Sequence, residues 1–401
     1  MNRQQHDCEN YFALNNRQIL LWLFTFVLCT TGTPMKAQEN DFLIHTFDKH
    51  SDFINSIDIH PEKEILVTGS KDQKVILWDL REKKDLLTLD NNTGEIQCVA
   101  FSPDGKYLVG SDRNIIRAWT VQGEYINSLS GHATAIWSID FNPAGDRIVT
   151  GSFDRTFRLW DFINLTKLSE FEGHSKSVLS VAFHPLKSMI ASGSLDETIR
   201  LWDMTSHRVI HTFKGHSGNI YSLDFSPGGK YLISASRDHT IKLWDVDGKE
   251  LIRTFEGHTA AVFSATFSPA GDHLLSGSVD QTIKLWETST GNCIHTFAGH
   301  EGAVCCVAFC PDGKSFVSGS YDHTAKLWQL APELFVNYYF MEEIEAEMKE
   351  NPVFQEKSRS ESRQEYAERM EAAKNQRDQL YQKYYQKYIE QLKNNTLNEP
   401  K

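Results

Sequence analysis

From residue 42 onward the chain alternates apolar and polar positions in runs of five or six residues, the period-two pattern of half-buried β-strands. Gly, Pro, Asn and Asp punctuate the runs. Between residues 220 and 255, Ile220 to Phe225 forms one run, Pro227-Gly228-Gly229 a turn, and Tyr231 to Ser234 a second run. Arg237-Asp238-His239 is a tight turn, Thr240 to Trp244 a third run and Leu251 to Phe255 a fourth. This four-strand unit is written seven times. The tryptophans that end its third strand, Trp78, Trp119, Trp160, Trp202, Trp244, Trp286 and Trp328, are 41, 41, 42, 42, 42 and 42 residues apart. Such a period fixes a repeat architecture and sets the ordinary enzyme folds aside.

Four residue types recur in register in six of the seven units. The first three sets are His50, Thr68, Asp72 and Trp78; His132, Thr150, Asp154 and Trp160; and His174, Ser192, Asp196 and Trp202. The other three are His216, Ser234, Asp238 and Trp244; His258, Ser276, Asp280 and Trp286; and His300, Ser318, Asp322 and Trp328. They predict a buried polar relay: the indole N–H needs an acceptor, the hydroxyl both accepts and donates, the imidazole bridges, and the carboxylate takes the last proton. Each net bond is worth roughly 1 kcal/mol, and a member left unpaired inside costs about 1–3 kcal/mol. Ser, His and Asp also make catalytic triads, but a triad occurs once per active site and this set occurs six times. We assign it to folding, and no catalytic residue is expected.

The repeat resembles that of WD-repeat β-propellers, whose signature pairs Gly-His with Trp-Asp. Here the dipeptides are Trp78-Asp79, Trp160-Asp161, Trp202-Asp203 and Trp244-Asp245, with Trp119-Thr120, Trp286-Glu287 and Trp328-Gln329 as departures. The resemblance covers residues 42–330 and implies an all-β fold, a seven-bladed β-propeller with one four-stranded blade per unit. It says little about function. An open ring would expose unpaired strand edges. Leu43-Ile44-His45-Thr46-Phe47 copies the outer-strand sequence Cys293-Ile294-His295-Thr296-Phe297 yet precedes the first repeat, and no such strand follows Trp328. The N-terminal strand is therefore expected to complete the last blade.

The second unit breaks the pattern. Asn91-Asn92 replaces Gly-His, Gly110 sits where Ser or Thr belongs, and Ser111-Asp112-Arg113-Asn114 runs out of register before Trp119. Blade two is expected to lack the relay, so that losing Asp112 costs far less than losing Asp238. It reads either as drift in a blade held by its neighbours or as a blade reshaped to meet a partner.

In the family, contacts on one face of the ring come from residues three or five after the Gly-His histidine and from the residue before the tight-turn Asp. The resemblance carries these roles to Phe53, Trp137, Leu179, Tyr221 and Phe263 in the first class and to Phe153, Leu195, Arg237, Val279 and Tyr321 in the second. Trp137 is the one tryptophan outside the leader that does not end a repeat. Aromatic residues and Arg are the usual hot-spot types. The set implies either a peptide- or protein-docking face over blades three to seven, or side chains that merely pack at the blade tops.

Composition, 40% hydrophobic and 23% charged with a formal net charge of −12, suits a globular body. No basic run appears, which argues against binding nucleic acid or an anionic membrane surface. Over residues 1–37, the uncharged run Ile19 to Cys29 follows Arg3 and Arg17. It falls short of the roughly 20 residues that span a bilayer. It suits the apolar region of a secretory signal peptide cleaved after Ala37, which would make the protein periplasmic or secreted. An uncleaved membrane anchor is the alternative, and a lipid-modified Cys29 is disfavoured by the bulk of Leu28. Cys98, Cys293, Cys305, Cys306 and Cys310 imply no disulfide framework. Cys305 to Cys310 has no His/Cys pair at zinc spacing and reads as strand packing, so neither metal nor cofactor is expected.

Residues 331–401 turn abruptly to Glu, Lys, Gln, Arg and Tyr. Leu334 to Glu350 and Ser360 to Leu392 read as an α-helical extension interrupted at Asn351-Pro352. In the second helix Tyr366, Met370, Ala373, Leu380, Tyr384, Tyr388 and Leu392 form one apolar-aromatic stripe. Its cover is the propeller itself, a second copy of the chain in a coiled coil, or a foreign partner. This tail is similar to those following WD-repeat propellers in some exported bacterial proteins.

Two function classes follow. The first is a non-catalytic scaffold for a protein or peptide partner, since folding explains the repeated polar groups and no nucleophile, phosphate loop or metal cluster stands out. The second is a propeller enzyme of hydrolase type with its site in the central channel, which would need polar residues converging there.

Overall fold

Strands of five or six residues joined by short turns pair readily with their sequence neighbours, and each 42-residue unit except the last closes as its own antiparallel sheet. A computed structural model describes residues 42–354 and 361–393 of the chain. The expected leader over residues 1–37, with its cleavage position, lies outside them. The strands form seven four-stranded sheets. The fifth runs Ile220–Phe225, Tyr231–Ser236, Ile241–Asp245 and Glu250–Phe255, from the inside of the ring outward. Its second strand extends two residues beyond the run expected from the sequence.

Leu43–Phe47 closes the ring. It pairs antiparallel with Ala325–Gln329, the third strand of blade seven, matching Phe47 with Ala325 and Thr46 with Lys326. The seventh sheet is thus built from both ends of the repeat region and has four strands like the other six.

The second and third strands carry most of the core, as in Tyr231–Ser236, buried from Leu232 onward. Each repeat tryptophan is at most 5% exposed and packs between adjacent blades. The glycine of each Gly-His makes room for it. At Gly257 φ is 147° and a Cβ would come 3.3 Å from the Trp286 ring.

Inner strands are tied across blade boundaries by side chains. Ser56, Ser138, Ser180, Ser222 and Ser264 accept the backbone N–H of Val99, Val181, Leu223, Ala265 and Val307 in the following blade, at 2.9 to 3.5 Å. At the turns, His60 and His184 reach the next blade through Nε2 to the carbonyls of Gly105 and Gly229.

The tail forms a helical hairpin, α1 (Pro332–Glu350) and α2 (Arg363–Lys393), linked through a 3-10 turn at Pro352–Phe354. Proline opens α1, where its missing N–H costs nothing. Val336, Phe340 and Ile344 of α1 bury themselves with Tyr384 and Tyr388 of α2. Glu347 takes bonds from Lys383 and Tyr384 at 2.6 and 2.7 Å. The same hairpin docks on the chain's own propeller. Leu334 enters the core cluster of Phe297, Phe316, Trp328 and Leu330, and Phe335 lies 5.1 Å from the His273 ring. Of the expected stripe, Ala373, Tyr384 and Tyr388 are buried, Tyr366 and Leu380 are half-buried and Met370 is exposed. Leu392's side chain lies outside the described residues. Among those residues no helix is long and apolar enough to cross a membrane.

Candidate protein-binding face

The relay sets the geometry of one face. His50 Nδ1 lies 2.8 Å from Asp72 Oδ2, and Nε2 lies 2.7 Å from Thr68 Oγ1, which accepts the Trp78 indole N–H at 2.9 Å. In the other five sets the corresponding distances run from 2.7 to 2.9 Å. The hydroxyl at the centre of each is Thr150, Ser192, Ser234, Ser276 or Ser318, in chain order, and all five are fully buried. Thr150 takes the indole N–H of Trp160 and lies against His132, and Ser192 does the same between Trp202 and His174. Ser276 joins Trp286 to His258, and Ser318 joins Trp328 to His300. None of these hydroxyls is exposed to solvent.

Each Asp works twice. Its Oδ2 takes the imidazole and the backbone N–H after the histidine, as at Ser217, while Oδ1 holds its own turn, as at Thr240. The loop entering the inner strand is thereby pinned to the turn between strands two and three. Burial alone would raise these carboxyls. The histidine and the turn hydrogen bonds together outweigh it, holding Asp72 at about 2 and Asp154, Asp196, Asp238, Asp280 and Asp322 well below the usual carboxylate range.

Blade two has no such relay, yet its Asp is anchored in another way. Its turn shortens to Arg113-Asn114, with Asp112 ending the strand opposite Ile115. Asp112 is 1% exposed. It accepts the Thr93 N–H at 2.9 Å, the Thr93 hydroxyl at 3.1 Å and Arg117 Nε at 2.8 Å. An arginine on the neighbouring strand replaces the imidazole, so the same loop and turn stay pinned by a different donor.

The candidate contact residues lie beside these pinned loops, at the start of the inner strands or just before them, and in the turns between strands two and three. Four rings follow one another around the opening from blade five to blade one. Tyr221 and Phe263 meet edge to face at 4.9 Å, Phe263 and Tyr321 at 6.0 Å, and Tyr321 stacks on Phe53 at 4.4 Å. Trp137 and Phe153 form a separate pair at 4.8 Å on blade three. All six are half-buried. Leu195 and Val279 are half-buried in the turns of blades four and six, and Arg237 is exposed in that of blade five. Leu179 departs from its expected role. It is 3% exposed, within an inner strand, Val178–Phe183, that is buried throughout, so it offers no contact surface. Two residues were missed in the sequence. Lys71 places its ammonium 5.1 Å from the Phe53 ring centroid, and His323 lies 5.7 Å from the same ring. Lys71 was findable, because it precedes Asp72 as Tyr321 precedes Asp322.

The inner strands carry a second feature that the sequence analysis did not single out. Asp58, Asp140 and Asp224 sit half-buried on blades one, three and five. Each accepts the N–H of the following blade's inner strand, from Phe101, Phe183 and Phe267 at 2.7, 2.7 and 2.9 Å. Burial pushes Asp58 and Asp224 up to about 6 and Asp140 to about 7, where the nearby Asp224 and Asp58 carboxylates add to the effect. Their bonds hold adjacent blades together. Among the described residues no group of three His, Cys, Asp or Glu is placed to hold a metal ion.

The hairpin occupies the opposite face. Tyr339 donates its hydroxyl hydrogen bond to Glu287, at the end of a third strand, and Phe335 meets His273, at the start of a second. Glu287 is the residue that replaces Asp in the Trp286-Glu287 departure. Its counterparts Asp79, Asp203 and Asp245 turn back onto the backbone of their own turns. The longer Glu287 side chain serves Thr290 of its turn and Tyr339 of the tail together.

Comparison with known proteins gives the same picture of the chain. The WD domain, G-beta repeat, matches residues 42–79, 83–120 and 291–329. The second β-propeller domain of WDR36/Utp21 matches residues 121–275. The nuclear distribution protein nudF of Aspergillus niger is 26% identical over 142 residues, covering 30% of this chain and 32% of that protein. The chain therefore matches about a third of the length of this curated relative.

Proposed function

Because the chain belongs to the WD-repeat β-propeller family, whose members typically serve as protein-interaction scaffolds, we propose that it is a non-catalytic scaffold that docks a protein or peptide through the aromatic face. The observation that carries this reading is the run of rings Tyr221, Phe263, Tyr321 and Phe53, with Trp137 and Phe153 apart, on the face the tail leaves open. Half-buried aromatic rings on inner strands and turns that the relay pins lose little side-chain freedom on binding, which favours them as anchors. Lys71, over Phe53, and Arg237 add cations at the rim. The exposed end of the tail stripe, Met370 with Tyr366, is a lesser surface suited to a second copy of the chain. The apolar run Ile19 to Cys29 supports export as the setting, with an anchored form as the alternative.

The test combines fractionation with crosslinking capture from the native cell, comparing the natural chain with the double variant Trp137→Ala, Tyr221→Ala. Loss of a specific crosslinked partner with the melting temperature preserved is the expected result. Undiminished capture by the double variant would remove the proposal. Hydrolase assays on purified protein address the enzyme alternative, and turnover that disappears in Asp140→Asn would favour it.

A further inference from the structure

The serine ties between inner strands are interrupted at two blades, where Cys98 and Cys306 stand in place of serine. Cys306 follows Cys305, and in a regular strand adjacent side chains point to opposite faces. Here the inner strand Val304–Phe309 shifts register between Val304 and Cys306, a bulge that turns successive side chains toward one side. The two Sγ atoms lie 3.7 Å apart.

Both thiols sit on the closing seam between blades seven and one. Cys306 is buried against Gly319, where a Cβ would come 2.6 Å from its sulfur, in a cluster with Ile54 and Ile57 of blade one. Cys305 is half-buried on the channel side, its sulfur against the carbonyls of Ile54 and Gly319. Five other blades show the same bulge, but their dipeptides are Asn55-Ser56, Trp137-Ser138, Leu179-Ser180, Tyr221-Ser222 and Phe263-Ser264. Only at the seam does the bulge set two thiols side by side.

An atom bonded to both sulfurs at about 2.3 Å, the length of a soft metal–thiolate bond, subtends roughly 107° across that separation, so it enters with little movement of either side chain. Among the described residues no third His, Cys, Asp or Glu completes a metal coordination sphere there. A centre satisfied by two thiols fits better. We propose that Cys305 and Cys306 form a vicinal-dithiol site that takes a thiophilic trivalent arsenical, which bridges both sulfurs beside the closing seam. With an organic arsenoxide, two As–S bonds form, the arsenic–oxygen bond breaks, and the two thiol protons leave with that oxygen as water. Arsenic stays trivalent, and no oxidant is needed. Burial pushes the Cys305 thiol well up, so alkylating reagents that require free thiolate react there slowly.

The experiment incubates the full chain with phenylarsine oxide, removes loosely held reagent with excess 2-mercaptoethanol and weighs the intact protein. One arsenical per chain should survive the monothiol and leave with 2,3-dimercaptopropanol. Cys305→Ser and Cys306→Ser should each abolish the monothiol-resistant adduct, while Cys293→Ser keeps it. Serine at 306 is what five blades already carry, so that variant keeps the fold, as its melting curve will show. An adduct on the natural chain that the monothiol strips, or one that survives in both seam variants, overturns the proposal.

Discussion

Asp238→Ala removes an acceptor used by three residues: the His216 imidazole at 2.7 Å, the Ser217 N–H at 3.0 Å, and the N–H and hydroxyl of Thr240 at 3.1 and 2.7 Å. His216 is buried, so its Nδ1–H is stranded, whereas Ser217 is exposed and finds water. A charge-assisted bond lost inside costs about 1.5–3 kcal/mol and the turn bonds add less, giving about 2–4 kcal/mol in all. At roughly 2.1 cal/mol/K per residue over about 300 residues, this lowers the melting temperature by about 3–6 °C. The informative comparison is Asp112→Ala. The sequence pattern alone expects almost no loss there, but Asp112 is buried against Arg117, whose side chain is 18% exposed. Removing the carboxylate leaves a partly desolvated guanidinium, a cost of about 2–3 kcal/mol, below that of a fully buried pair. The two variants should therefore melt within a few degrees of each other, measured by tryptophan fluorescence and circular dichroism at pH 7. The Asp238 carboxyl titrates below its unfolded value, so its contribution is fully present above the ordinary carboxylate range and fades as the pH falls through the folded pKa. The gap between Asp238→Ala and the natural chain should narrow in acid. An Asp112→Ala protein as stable as the natural chain, beside a destabilised Asp238→Ala, would refute the arginine anchor and return blade two to simple drift.

Three further outcomes are expected. Asp140 is raised to about 7, above its unfolded value near 4, so its charge penalises the fold above about pH 7 and the penalty vanishes as the pH falls below 4. Asp140→Asn keeps an acceptor for Phe183 and should raise the melting temperature at pH 8 but not at pH 4; a fall at pH 8 would contradict the assignment. Gly105→Ala combines a φ of 66° with a Cβ 2.3 Å from His60 Cε1 and should cost about 2–4 kcal/mol, whereas Gly228→Ala, which meets nothing within 4 Å, should lie within about 0.5 kcal/mol of the natural chain by denaturant unfolding. Tyr339→Phe frees the tail from Glu287 and should weaken docking by about 1–2 kcal/mol, seen as faster hydrogen exchange over α1 and α2 with blades one to five unchanged.

Much of this was legible in the chain because it is local. The turn Arg237-Asp238-His239 and the spacing of His216, Ser234 and Trp244 place a hydrogen-bonded set within one hairpin and its entering loop, so register alone brings its members together. Leu43 to Phe47 betrayed the closure by copying an outer strand in the wrong place. The contact face was legible only in part. Position relative to the relay found the rings, but the burial of Leu179 depends on how densely blade four packs, and position within a repeat carries no such information.

What the sequence by itself determined is the content of a blade: strand length, turn chemistry, the relay and the number of repeats, all set by interactions within about 40 residues. The ring decided the rest. Whether Arg117 would take the place of a missing histidine, whether Asp58, Asp140 and Asp224 would face one another, and whether Cys305 would lie beside Cys306 depended on bulges and blade-to-blade packing. Whether the hairpin would dock on its own propeller depended on Glu287 and Tyr339, residues 52 apart in the chain that meet only once blade six and the hairpin are both formed. Such contacts leave no periodic trace, because each is made once, by one side chain's length and direction, and not by a pattern the chain repeats.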